Sequence, residues 1–189
     1  MNTNYRLAGW SAYLSAIGTL LGFVTIIGFF MVGGLFGVTS DVSSLIISLT
    51  LFPILWALHQ LHRSHALAVS LGALGMGLIA MLIATVLQAL LVFDVLTNSQ
   101  TEIAVLSSYG VMGLALITFN YLAYVHESLP RKLAIWGIVA GAGYVLTAVG
   151  YILGRQNHPL TYVGGLLSVI AYPVWTIWLG RIWLRNAKG

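Results

Sequence analysis

The stretch "LAIWGIVAGAGYVLTAVGYILG", from Leu133 to Gly154, decides the fold class. It contains no charged residue and lies between Lys132 and Arg155. A helix needs about 20 predominantly apolar residues to cross the hydrocarbon core of a bilayer. The stretch lacks the alternation of barrel strands, and a helix satisfies every backbone N–H and C=O within its own segment. It therefore predicts a transmembrane helix.

The rest of the chain repeats this pattern. Of its 189 residues, 59% are apolar and 6% are charged, whereas about a quarter are charged in soluble domains. We predict an all-α fold, a six-transmembrane-helix bundle that forms a single integral membrane domain over residues 1–189. The predicted helices span about 7–36, 42–61, 66–93, 103–126, 132–154 and 160–184. The first helix is long enough to tilt, or to break near Gly33 and Gly34.

Charge is distributed unequally between the two ends of the predicted bundle. An even number of helices places both termini on one face, which we call the basic face. Its basic residues are Arg6, Arg63, Arg131, Lys132, Arg181, Arg185 and Lys188. The opposite, acidic face carries Asp41, Asp94 and Glu102 with Arg155. Because short cytoplasmic segments are enriched in Lys and Arg, we predict that the N- and C-termini are cytoplasmic.

Several kinds of chemistry are missing from the sequence. Cysteine is absent, which excludes disulfides, thiolate metal sites and cysteine nucleophiles. There is no HExxH motif and no phosphate-binding loop, and no predicted helix has a carboxylate near its centre. We predict that the protein is not an enzyme. The expected partner is the lipid bilayer, with a homo-oligomer or larger membrane complex also open, and no nucleic acid.

The stretch "HQLHRSH", from His59 to His65, is the main candidate for a metal or haem site. His59 and His62 share a helical face, and His126 ends another helix at the same depth. These three imidazoles could ligate haem iron or a divalent metal. Histidines at helix C-termini also interact favourably with the helix dipole, so an interfacial role without any ligand is the alternative, with proton sensing as a third.

Polar and kinked positions give a second candidate site. Gln60 and Asn120 lie toward the basic face near Tyr124, while Gln88 lies nearer the acidic face. Pro53 and Pro173 interrupt two predicted helices, and a pair of kinked helices can open a cavity. The candidate ligand-binding residues are Pro53, Gln60, Asn120, Tyr124 and Pro173. Hydrogen bonding between helices and ordinary membrane prolines are the alternative explanation.

A family resemblance covers most of the chain. The stretch "LPRKLAIWGIVAGAGYVLTAVGYIL" from Leu129, the opening "RLAGWSAYLSAIG" and the closing "YPVWTIWLGRIWLRNAKG" resemble a bacterial family of polytopic membrane proteins. That family is known as domain of unknown function four-three-eight-six. The resemblance implies no established activity, and the run from His59 to His65 is not part of the family pattern.

These observations lead to one functional hypothesis and two alternatives. We expect a multi-pass protein of the prokaryotic inner membrane that binds a small hydrophobic ligand, a lipid or a partner membrane protein. The first alternative is a transporter or channel protomer that uses the kinks at Pro53 and Pro173 as a gate. The second is a haem- or metal-binding redox protein that uses the histidines.

Overall fold

The computed structural model describes residues 3–32 and 35–186, and all regular secondary structure in these ranges is helical. The helices are α1 (Thr3–Val32), α2 (Leu35–His62), α3 (Leu67–Val92), α4 (Asn98–Val125), α5 (Arg131–Gly154) and α6 (Pro159–Asn186), with a 3₁₀ turn at Arg155–Asn157. All six helices are long and apolar enough to cross a membrane. The predicted all-α, six-helix class is therefore confirmed.

The six helices form a closed ring. Each packs against the next in chain order, and α6 packs against α1. The hydroxyls of Ser15 on α1 and Tyr172 on α6 lie 2.6 Å apart and join the two ends of the ring. The fully buried side chains inside the ring include Leu51, Leu55, Met81, Met112, Leu116, Phe119, Leu133, Tyr172, Trp175 and Leu179. The centre of the ring is thus packed with side chains.

Helix α5 approaches both of its neighbours closely. A Cβ atom on Gly141 would lie 2.6 Å from the carbonyl oxygen of Gly113 on α4. On the α6 side, a Cβ on Gly143 would lie 2.6 Å from the backbone nitrogen of Ser168. Small residues allow this kind of backbone contact between membrane helices. Helices α4, α5 and α6 therefore pack with little space between their backbones.

Three helices begin four to seven residues earlier than the sequence predicts, and α1 begins at Thr3 instead of residue 7. Helix α2 begins at Leu35 instead of residue 42, and α4 begins at Asn98 instead of residue 103. The polar residues that suggested breaks are accommodated within the helices. The Ser43 hydroxyl donates to the Thr39 carbonyl at 2.8 Å, and Thr97 forms a capping box with Gln100. As a result Asp41 and Glu102 are helical residues. The predicted break at Gly33 and Gly34 lies outside the described residues.

Every described Lys and Arg except Arg155 lies at one end of this ring. Helix α1 begins and α6 ends there, since Gly9 lies against Leu184. The turns at 63–66 and 126–130 lie at the same end, and the segments 93–97 and 155–158 lie at the other. Which of the two faces is cytoplasmic remains a prediction.

Candidate functional site: a polar chamber at the acidic face

A partly open cavity of about 570 Å³ lies inside the ring at the acidic face. We call it the chamber. All six helices contribute to its wall. Its polar lining includes Asp41 on α2, Gln88 on α3, Asn98 and Glu102 on α4, Thr147 on α5 and Thr161 on α6. Small-molecule sites in proteins are typically concave spaces of about 300–1,000 Å³, and the volume of the chamber falls within this range.

The two carboxylates of the chamber have different surroundings. Glu102 forms an ion pair with Arg155, and the Arg155 guanidinium lies 5.7 Å from the centroid of the Tyr151 ring. Asp41 is partly buried, and no cation or hydrogen-bond donor among the described residues pairs with its side chain. The Arg155 guanidinium, which lies outside the chamber lining, is therefore used by Glu102. The chamber retains one carboxylate without a counter-ion.

The amide of Gln88 is a second unsatisfied group. Its side chain is only 6% exposed, and its Oε1 accepts no hydrogen bond from the described residues. A buried acceptor left without a donor costs about 1–3 kcal/mol. Because Gln88 also lines the chamber, a small rotation of its side chain would present this oxygen to a donor there.

Four aromatic residues, which we call the aromatic layer, lie between the chamber and the basic face. They are Tyr109, Tyr144, Tyr172 and Trp175. Successive ring centroids are 5.7 Å, 5.5 Å and 5.9 Å apart. Tyr109 follows the chamber residue Val105 by one turn of α4, so the aromatic layer begins directly beneath the chamber.

Hydrogen bonds fix the aromatic layer to the surrounding helices. The Tyr109 hydroxyl donates to the carbonyl of Ser44, a chamber residue on α2, at 3.0 Å. At the other end, the Trp175 indole N–H donates to the Asn120 amide oxygen at 2.9 Å. The Asn120 amide nitrogen in turn donates to the Leu116 carbonyl at 2.8 Å. The aromatic layer is therefore fixed to α2 and α4 between the chamber and the basic face.

The histidines lie at the basic face, away from the chamber. His59 Nδ1 hydrogen-bonds with the Ser70 hydroxyl at 3.1 Å. His62 is fully buried, and its ring stacks on the Phe119 ring with a centroid separation of 6.1 Å. Neither ring nitrogen of His62 has a hydrogen-bond partner among the described residues. The rings of His126 and His65 stack with their centroids 5.3 Å apart. In the described part of the chain, no group of three or more His, Cys, Asp or Glu side chains has an arrangement suited to a metal ion.

The ligand-binding residues predicted from sequence do not line the chamber. Asn120 is fully buried and acts as a link between α4 and α6. Tyr124 is 41% exposed, with the Arg131 guanidinium 5.8 Å from its ring centroid. Gln60 and Pro53 are partly buried. Pro173 is buried beside Tyr172 in the aromatic layer. A ligand role for these five residues stays a prediction.

Sequence reasoning missed Asp41 and Glu102 as site residues because both were assigned to connecting segments. A usable signal was present in the sequence. All but one of the four acidic residues of the chain lie on the acidic face, where Gln88 also points to a polar interior. Their convergence depends on the ring, in which residues far apart in sequence meet at one end.

A second, apolar cavity of about 340 Å³ lies between α5 and α6. It is lined by Ile135, Trp136, Val139, Leu167, Ile170 and Ala171. Most of these side chains are exposed on the outer surface of the ring. With no polar atom in its wall, the groove can hold an occupant only by apolar burial, as it would hold a lipid acyl chain.

The architecture defines the class of protein. Six apolar helices arranged in a ring make the chain a multi-pass helical membrane protein. More specifically, it belongs to the family described as Domain of unknown function (DUF4386), whose model matches residues 35–184. The family resemblance found in the sequence is thereby confirmed. No curated protein and no solved structure matches the chain.

Proposed function

We propose that the protein binds a small molecule in the chamber and does not catalyse a reaction. The observation that carries this proposal is the construction of the chamber, since all six helices supply its wall. A site shared by every helix is held in shape by the packing of the whole ring. This arrangement suits a binding site that is formed before the ligand arrives.

We further propose that the chamber opens to the outside of a prokaryotic inner membrane. The asymmetry of basic residues supports a cytoplasmic basic face, as the positive-inside rule requires. The chamber lies at the opposite, acidic face. Its ligand would then come from the periplasmic or extracellular side.

The lining suggests a ligand with both polar and apolar parts. Leu91, Val105 and Leu106 provide apolar surface in the same wall as Asp41 and Gln88. This lining supports the hydrophobic ligand expected from the sequence, with the addition of a polar group. The apolar part would rest near the aromatic layer and the polar group near the amide and carboxylate.

The test is to fill the chamber with a larger side chain and to measure whether a copurified small molecule is lost from the protein. Leu106→Trp places a larger side chain in the wall. Leu114→Trp, on the outward surface of the same helix, is the matched control. We expect native mass spectrometry of protein from its own membrane to show a small molecule with the unchanged chain and with Leu114→Trp. It should be lost with Leu106→Trp. The same molecule on all three proteins, or none on any, would contradict the proposal.

A transporter is the second candidate, and the buried aromatic layer between the chamber and the basic face favours it. Alternating access requires a site that is open to one side and sealed from the other. Transport would also require the aromatic layer to part, so that residues beneath it become reachable from the basic face. Leu179, fully buried on that side of the layer, reports such an opening.

Because the chain contains no cysteine, labelling of a single introduced thiol reports the accessibility of that one position. We expect a single Leu179→Cys variant to stay unreactive toward a membrane-impermeant thiol reagent applied from the basic face. A single Ser64→Cys variant, in the exposed turn between α2 and α3, should react fully. Labelling at position 179 that rises with a copurified ligand would favour transport over simple binding.

A further inference from the structure

We propose that the ligand of the chamber is a small organic cation with a primary ammonium group, which binds between Asp41 and Gln88. This inference rests on the proposed function, because it assumes that the chamber is a binding site. It adds the charge and the hydrogen-bonding character of the ligand.

The charge follows from the pairing of the side chains that line the chamber. Glu102 and Arg155 neutralise each other, which leaves Asp41 as the uncompensated charge. A carboxylate withdrawn from bulk water is unfavourable unless a cation or several donors stabilise it. Asp41 lies one and a half turns inside α2, within the apolar span that begins at Phe36. A cationic ligand would supply the missing charge.

The need for N–H donors follows from Gln88. Its buried Oε1 can only accept a hydrogen bond, and none of the described residues donates to it. An ammonium group carries three donors and no acceptor. Asp41 and Gln88 both line the chamber, so an ammonium group placed between them would have N–H donors for both side chains, whereas a quaternary amine has none. Hydrogen bonds to a charged group are about twice as strong as neutral ones.

The size of the chamber favours an organic cation over a metal ion. A volume of about 570 Å³ is many times the roughly 30 Å³ that one water molecule occupies in the liquid. A metal ion would need several converging oxygen ligands. No group of three or more acidic or histidine side chains provides them in residues 3–32 and 35–186. The remaining space beside the ammonium group is bordered by Val105 and Leu106, which suit an apolar body.

Isothermal titration calorimetry on the full chain in detergent tests the inference with benzylamine, a primary amine that is cationic at neutral pH. Benzyl alcohol and benzoate are neutral and anionic probes of the same shape, and sodium chloride supplies an inorganic cation. We expect benzylamine to bind at least about tenfold more tightly than benzyl alcohol. Benzoate should bind least.

Substitutions then show which side chain causes the preference for the cationic probe. Asp41→Asn should remove the preference for benzylamine over benzyl alcohol, and a thermal unfolding measurement shows whether the variant is folded. Asp41→Glu should restore part of the preference, and Gln88→Met should weaken benzylamine binding several-fold. Asp94→Asn is the matched control, because Asp94 is an exposed acid of the same face outside the chamber wall. Its left-handed backbone, with φ of 56°, is one that Asn also adopts.

The outcomes separate this inference from the proposed function. Equal binding of the amine and the alcohol, unaffected by Asp41→Asn, would overturn the ammonium site but leave the chamber as a binding site. Saturable binding of sodium that depends on Asp41 and excludes benzylamine would replace the organic cation with an inorganic one. If no probe binds to the unchanged chain, the ammonium inference fails. The copurification experiment with Leu106→Trp then decides separately whether the chamber is a binding site.

Discussion

The Trp175 indole donates a hydrogen bond to the Asn120 side chain at 2.9 Å, and both residues are fully buried. This bond connects α6 to α4 across the interior of the ring. It also places Asn120 against α5, since a Cβ on Gly137 would lie 2.2 Å from the Asn120 amide carbon. The Asn120 side chain of α4 therefore contacts both α5 and α6.

Asn120→Leu should destabilise the protein by about 1–3 kcal/mol, because it leaves the Trp175 N–H without an acceptor in a buried site. Trp175→Phe should cost a similar amount through the lost packing and the unpaired amide oxygen. The double variant should cost less than the sum of the two, since the polar partners are removed together. Unfolding in a denaturing detergent measures all three. Strict additivity would show that the bond contributes nothing.

Gly141→Ala and Gly143→Ala should each lower stability by about 1–3 kcal/mol, because the added methyl group would meet the backbone of a neighbouring helix. Backbone atoms cannot move aside as a flexible side chain can. Gly75→Ala is the matched control, since nothing lies within 4 Å of its Cβ position. We expect this variant to be as stable as the parent or slightly more so. A thermal unfolding series in detergent checks these variants, and equal stability of all of them would contradict close contact at α5.

Cysteine scanning should locate the two faces of the ring relative to the cell. Single variants Ser64→Cys and Ser99→Cys place a thiol in exposed positions at the basic and acidic faces respectively. We expect an impermeant maleimide to label position 99 in intact cells and position 64 only after permeabilisation, in keeping with the positive-inside rule. The reverse pattern would place the chamber on the cytoplasmic side.

His62→Phe should leave stability unchanged or raise it. The imidazole is fully buried and both of its nitrogens lack partners among the described residues. A ring of similar shape without polar atoms removes that cost, which is about 1–3 kcal/mol for a buried unsatisfied group. Thermal unfolding measures the change, with His59→Phe as the comparison because that variant loses the hydrogen bond to Ser70.

The same substitution tests the metal and haem hypothesis for His59, His62 and His126. If His62 holds a metal or haem, His62→Phe should lower stability and release the bound group. Metal analysis and an absorption spectrum of the two proteins would detect that loss. A stabilised variant with an unchanged spectrum would argue against a ligand at His62.

The number and kind of helices could be predicted because each apolar run is long enough by itself to specify a membrane helix. The starts of α2 and α4 could not, since the polar residues near Asp41 and Glu102 resemble connecting segments. Only the ring shows that these residues face a shared interior. Asn120 was recognisable as an interior amide, but its partner Trp175 is distant in sequence. The convergence of Asp41, Gln88 and Glu102 depends on three separate helices, and local patterns do not encode it.

The packing of α6 against α1 has a consequence for biosynthesis. Helices enter the membrane in chain order, so the first helix must wait for the last before Ser15 can meet Tyr172. Until then α4 lacks the indole that satisfies Asn120, and the chamber lacks one side of its wall. In a nascent chain stalled after α5, the Asn120 amide oxygen would therefore lack its indole donor inside the membrane.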